Sequence, residues 1–321
     1  MEAEVKRLHA AAAAANRSGN TGLARELYEK MHAAQAKADQ AAACEAASQL
    51  ISPEPDGISS EESRFHIPAS VQGCEFVRGG LPELRQRVEG CLVGAVCADA
   101  AAMGLHWVYD MDLMKQLTAS AKSPAFYEPP SCPFYSYPSG ACTPYWEQAG
   151  VLLAALVRRG GFCPRDYARA NAAHFSHAEY DGYLDASTRG FLRNVLVKRK
   201  AWPHCGADDA QVNCVVRLPP MVAMFAGDPQ LLSLVGDMVR VTQNTDAAVA
   251  YGRAAARVLE GVILGSAPLE AVEEAVRTLR RRDRSCPSDM DEGIARDMEA
   301  ALALARNGTL HRDAVEALGR N

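Results

Sequence analysis

Among residues able to do chemistry, one carboxylate comes first. Asp99 is the only charged side chain in Gly90-Cys-Leu-Val-Gly94-Ala-Val-Cys97-Ala-Asp99-Ala-Ala-Ala-Met-Gly104, a run of small and apolar residues. A carboxylate taken out of water is costly unless it is hydrogen-bonded, paired or bound to a cation. Asp99 therefore reads equally well as a site residue or as a solvent-facing or cap-bonding side chain near a helix end. Three further polar groups stand where helices should begin. Thr143-Pro144-Tyr145-Trp146-Glu147-Gln148 places a carboxylate in a first turn, where the helix dipole favours it. Asp181-Gly-Tyr-Leu-Asp185-Ala-Ser-Thr188 is a capped start rich in hydroxyls. In Thr242-Gln243-Asn244-Thr245-Asp246, Thr242 can cap and Asp246 suits a first turn.

The familiar constellations are missing from the sequence. The eight histidines (9, 32, 66, 106, 174, 177, 204 and 311) form no HExxH and no i,i+4 ligand pair. His174 and His177, three apart on one predicted helix, read as exposed surface residues. No GxSxG, P-loop or GxGxxG occurs in strand–helix context. The ten cysteines contain no CxxC pair, which argues against a zinc site and a disulfide framework and for a reducing compartment. Cys91, Cys97 and Cys214 fall in apolar helical runs, where a free thiol behaves as a small hydrophobe.

These residues must be positioned by helices. The Ala-rich composition and long 3.6-residue periods predict an all-α protein, and 321 residues suffice for a substantial core. Helices are predicted at 83–104, 111–119, 145–160, 164–176, 181–200, 210–226, 228–242, 245–265, 267–282, 289–307 and 310–318. Pro164, Pro229 and Pro268 fall near predicted starts. Gly inside a helix costs about 1 kcal/mol relative to Ala, so Gly90 and Gly94 should be sites of close packing. Pro219 and Pro220, inside the 210–226 segment, should kink it, either shaping a site wall or simply packing in the core. The stretch 121–144 carries six prolines and no helical period, so it is the one long loop of the domain.

Residues 1–50 read as an N-terminal helical hairpin, broken around Gly19-Asn20-Thr21. It is either a docking hairpin for a protein partner or a solvated Ala-rich tail. Residues 51–80 have the Pro, Ser, Glu and Gly content of a linker, and a helical domain follows over 81–321. The formal net charge of −5 gives no reason to expect nucleic-acid binding or a basic membrane patch. No apolar run reaches membrane length and the N-terminus is not signal-like, so a soluble, cytoplasmic protein is expected.

Gly94-x-x-x-Ala98-Asp99-Ala100 followed by Leu105-His106-Trp107-Val108-Tyr109-Asp110 resembles the opening helix of the ADP-ribosylglycohydrolase family, in its J1-crystallin-like branch. The resemblance runs from about Pro82 to Asn321, and Leu105–Asp110 is its most specific part. It implies an orthogonal all-α domain. In catalytic members the junction at 143–148 looks like Thr-Asp-Asp-Thr, whose carboxylates bind Mg²⁺, a cation that wants octahedral oxygen ligands. Here Thr143, Tyr145, Trp146, Glu147 and Gln148 follow the J1-like form instead, and only Thr143 and Glu147 can offer oxygens. Tyr180–Arg189 is similar to the same branch and makes Asp185 and Thr188 groove candidates. Val241–Ala248 resembles a further family element in which the family's His has become Gln243, with Asn244 beside it. The family's second metal motif has no counterpart, and a two-metal hydrolase needs both carboxylate sets.

Two functions follow as expectations. The favoured one is a catalytically decayed member that serves as a structural or interaction component, with no cofactor. Its protein partner would be held through residues 1–50, and no residue singles out a cytoskeletal or ciliary assembly over any other. The alternative is a Mg²⁺-dependent hydrolase releasing ADP-ribose, with Asp99 and Glu147 as metal ligands and catalytic groups, and Thr143, Gln148, Asp185, Thr188 and Asn244 binding the ligand. A third option is ADP-ribose binding without turnover.

Overall fold

The computed structural model describes residues 2–17, positions 23, 26, 27, 30, 31 and 34, and residues 82–119 and 126–319. The expected 51–80 linker and the turn of the N-terminal hairpin lie outside the described residues. Helix α1 (Glu2–Arg17) opens the chain, and the six positions between 23 and 34 are helical too. Among the described residues there is no strand, only an isolated bridge between Ala207 and Gln243. The protein is all-α.

The domain runs through α2 (Pro82–Met103), α3 (Met111–Thr118), α4 (Pro144–Arg159), α5 (Pro164–Phe175) and α6 (Ala186–Leu192). It continues through α7 (Leu218–Phe225), α8 (Leu231–Thr242), α9 (Asp246–Leu264), α10 (Pro268–Leu279), α11 (Asp291–Arg306) and α12 (His311–Ala317). Boundary chemistry sets several of these. Thr143 caps α4 by accepting from the Tyr145 N–H, Pro144 occupies the first turn, and Gly160 ends the helix at φ 70°. Thr245 caps α9 through the Ala248 N–H, and Gly265 closes it at φ 114°.

Two predicted helices are corrected. The 181–200 segment starts at Ala186, because Asp185 is an N-cap whose carboxylate accepts from the Thr188 N–H. It then loosens into a π turn over Arg193–Val197. The 210–226 segment is a 3₁₀ turn (Val212–Arg217) followed by α7, with no kink inside one long helix. Pro219 and Pro220 lack an N–H, and in the first turn of α7 that loss removes no helical bond.

Helix α9 is the hub, packing on α2, α7, α8, α10, α11 and the 3₁₀ turn. Its approach to α8 depends on Gly252: a Cβ there would lie 2.9 Å from Val239 Cγ2. The main core gathers Leu152, Phe191, Met221, Phe225, Val235 and Val239 from α4, α6, α7 and α8, all fully buried. Each such burial contributes about 1.5–3 kcal/mol. Helix α2 leans on this core through Leu84, Val88 and Cys91, and Arg87 Nε donates to the Ile263 carbonyl near the end of α9. The close packing expected at Gly90 and Gly94 is not found. Both are exposed with nothing within 4 Å of a built Cβ, because the core lies against the other face of α2.

Candidate functional site

Asp99 stands one turn before the end of α2 and meets the start of α4. The Thr143 N–H donates to its Oδ2 at 2.6 Å and the Thr143 hydroxyl to its Oδ1 at 2.6 Å. Thr143 Oγ1 in turn accepts from the Tyr145 N–H at 3.2 Å. One side chain thus caps α4 and satisfies the lone carboxylate of α2. Burial pushes the Asp99 carboxyl above its ordinary range, and the two bonds from Thr143 draw it partly back.

An aromatic wall stands around this junction. His106 stacks on Trp107 at 4.3 Å, and its Nδ1 lies 2.6 Å from the Tyr135 hydroxyl. Trp107 has φ 62°, a left-handed conformation costly for a residue with a Cβ, and its ring meets Phe134, Tyr145 and Tyr183 edge-on. Burial lowers the His106 pKa, so the ring is neutral at pH 7. Burial also drives the Tyr135, Tyr145 and Tyr180 hydroxyls far above the phenol range, reinforced by nearby Asp99, Asp185 and Glu147. These phenols are neutral hydrogen-bonding groups, not bases or nucleophiles. Tyr180 donates to Glu147 Oε2 at 2.7 Å, and the Tyr183 N–H donates to the Tyr137 hydroxyl at 3.0 Å.

Behind the wall runs a buried polar chain. Arg217 is fully buried, with its Nη1 donating to Gln148 Oε1 at 2.6 Å and its Nη2 to Gln243 Oε1 at 2.9 Å. Gln148 Nε2 donates to Asp185 Oδ2 at 3.3 Å, and the same oxygen accepts from Ser187 Oγ and Asn213 Nδ2. Gln243 Nε2 donates onward to the Gln211 carbonyl. The arrangement fixes α4, α6, the 3₁₀ turn and the end of α8 against each other.

The residues singled out by sequence fall into groups. Thr143, Glu147 and Gln148 share the start of α4, with Asp99 bonded to the first and Asp185 to the last. Thr188 joins through its backbone N–H, while its buried hydroxyl has no protein partner. Asn244 belongs elsewhere: it accepts from Arg240 Nη1, donates to the Pro203 carbonyl and pairs its N–H with Ala207 O. It shares no hydrogen bond with the Asp99 group. Arg217, Asn213 and Tyr180 join the site without having been expected there. Arg217 carried a usable signal, a lone cation in Cys214-Val-Val-Arg217-Leu-Pro-Pro, by the same logic that singles out Asp99.

The residues present do not fit the Mg²⁺ that catalytic relatives would hold. Among the described residues no three His, Cys, Asp or Glu side chains are grouped to hold a metal ion. Both Asp99 oxygens already take a Thr143 donor at 2.6 Å, and Glu147 Oε2 accepts a hydrogen bond from the Tyr180 hydroxyl. Mg²⁺ wants near-octahedral oxygen coordination at short distance, whereas these donors are turned inward onto protein partners. The junction as built supports hydrogen bonding and stacking.

Fold and site together define an all-helical domain that carries an aromatic-walled carboxylate junction. The family model described as ADP-ribosylglycohydrolase matches residues 81–321, and the chain belongs to that family. It is similar to crystallin J1A of Tripedalia cystophora, 32% identical over 204 residues, covering 60% of this chain and 63% of that protein. Crystallin J1B of the same organism is 32% identical over 192 residues, covering 57% and 60%. The chain thus spans about three fifths of these relatives' length. No solved structure matches. Among the described residues no helix is long and apolar enough to cross a membrane.

Proposed function

We propose that this protein is a non-catalytic member of its family, a structural or interaction component built on the hydrolase scaffold. The observation that carries the reading is the inward use of the junction's carboxylates. Asp99 is bonded on both oxygens to Thr143, and Glu147 is held by Tyr180, so each completes local structure. The curated relatives are named crystallins, which agrees with a protein valued for its fold. Partners are proteins, held in part through residues 1–50; a net charge of −5 disfavours nucleic acid.

The test is hydrolysis of ADP-ribosylated protein by the full chain, with and without Mg²⁺, beside Asp99→Ala and Glu147→Ala. Identical background release from all three supports the proposal. Mg²⁺-dependent release that both substitutions abolish overturns it and restores the hydrolase alternative. Binding of ADP-ribose without turnover is the second reading, favoured by the Phe134 ring, half-exposed beside Trp107 where a base could stack.

A further inference from the structure

A concave surface lies on α5 and the π turn, and shares no residue with the Asp99 junction. It encloses about 610 Å³. Its floor is apolar, including Leu196 and Trp202, and its rim carries Arg165, Arg169, Arg199 and Lys200. All four cations are exposed. Among the described residues Arg165, Arg199 and Lys200 have no carboxylate partner, and Arg169 has only Asp166 at 3.7 Å. Four like charges around one apolar groove repel each other, which is notable in a chain of net charge −5.

The groove is preformed. The Lys200 N–H donates to the Asn194 carbonyl at 2.9 Å, and the buried Asn194 amide donates to the Cys205 and Gly206 carbonyls at 3.2 and 2.9 Å. The loop carrying two rim cations is thereby clamped at both ends. Arg199 is held at φ 54°, a conformation a side chain with a Cβ rarely adopts. Burial pushes the Cys205 thiol on the floor up to about 11, so it stays protonated and offers no nucleophile. The groove is built for binding.

We infer that this groove docks an acidic peptide segment of a protein partner, one that carries an apolar side chain between its carboxylates. Carboxylates answer the arginine rim through charge-assisted bonds, and an apolar side chain covers the floor that water otherwise wets. A purely anionic ligand would leave that floor exposed, and a purely apolar one would leave the rim cations stripped of water without a partner. Docking here does not depend on the Asp99 junction being inert, so its failure would leave the proposed function standing.

The probe is the fluorescein-labelled hexapeptide Glu-Asp-Leu-Glu-Phe-Asp, read by fluorescence anisotropy with the full chain. Its controls replace Leu and Phe by Ser, or every acid by Lys. The expected result is binding that weakens about ten-fold or more in Arg199→Glu/Lys200→Glu and on raising salt, and stays within about two-fold in the charge-matched Arg282→Glu/Arg296→Glu. The Ser control should bind about five-fold more weakly or worse, and the Lys control not at all. Equal weakening in both double variants, equal binding of the Ser control, absence of binding, or preference for a single-stranded oligonucleotide over the peptide would each overturn the inference.

Discussion

Arg217 and Asp185, two buried and opposite charges, are joined through the single amide of Gln148. Its oxygen accepts from Arg217 and its nitrogen donates to Asp185. An amide can accept on one side and donate on the other, so the pair is bridged without either ion being left alone. Gln148→Ala removes the bridge, leaving Arg217 with Gln243 and Asp185 with Ser187, Asn213 and the Thr188 N–H, and should cost about 1–3 kcal/mol in denaturant unfolding. Arg217→Lys should cost nearly as much, because one ammonium does not reproduce the planar fork serving Gln148 and Gln243 together. A loss under about 1 kcal/mol in Gln148→Ala, the size of a single ordinary hydrogen bond, would show that the bridge is not needed.

Thr143 holds two elements with one side chain. Thr143→Val removes the cap of α4 and one bond to Asp99, for an expected loss of about 1–2 kcal/mol. Thr143→Ser should recover most of it, because Ser supplies the same oxygen. Chemical denaturation of the three proteins checks this.

Asp99 should give the protein a measurable pH signature. Its folded-state pKa lies above the ordinary value, so the folded state binds the proton more readily than the unfolded chain. Ionising Asp99 therefore costs stability. That cost is absent below the ordinary carboxyl range and complete once pH has passed the raised value. The stability of wild type minus that of Asp99→Asn should fall as pH rises through this window and then level off. A difference that rises with pH would mean the carboxylate is stabilised by its surroundings, as a cation-binding site would require.

Two glycines should respond in opposite directions to alanine. A Cβ at Gly206 would sit 2.5 Å from the Arg240 carbonyl oxygen and 2.8 Å from Asn244 Cβ. Gly206→Ala should destabilise by about 1–3 kcal/mol or more. Gly94, exposed in α2 with nothing near it, should gain about 0.5–1 kcal/mol as Ala. Thermal melts of the two variants should move apart.

Local chemistry explains what the sequence made legible. The helices and the anomaly of Asp99 follow from neighbours a few residues away; the caps at Thr143 and Asp185 are as local, but the periodicity extends a helix over 181–200 and hides the second. Asp185 is different once its partners are considered: Gln148 and Asn213 lie 37 and 28 positions distant, and no local pattern announces them. Arg217 stands out by the same logic as Asp99 but hides inside what reads as a helix pattern. Gly90 and Gly94 mislead because small residues mark close packing only on a face that meets another helix, and the spacing does not say which face does. Pro219 and Pro220 mislead by position, since a break placed just before them turns a kink into a helix start.

Isothermal titration of ADP-ribose into the purified full chain, with and without Mg²⁺, tests the central claim most directly. With Asp99 and Glu147 bound up by Thr143 and Tyr180, Mg²⁺ should add no heat and change no affinity. Metal-dependent micromolar binding that Asp99→Ala abolishes would contradict that, and would make the junction a working hydrolase site.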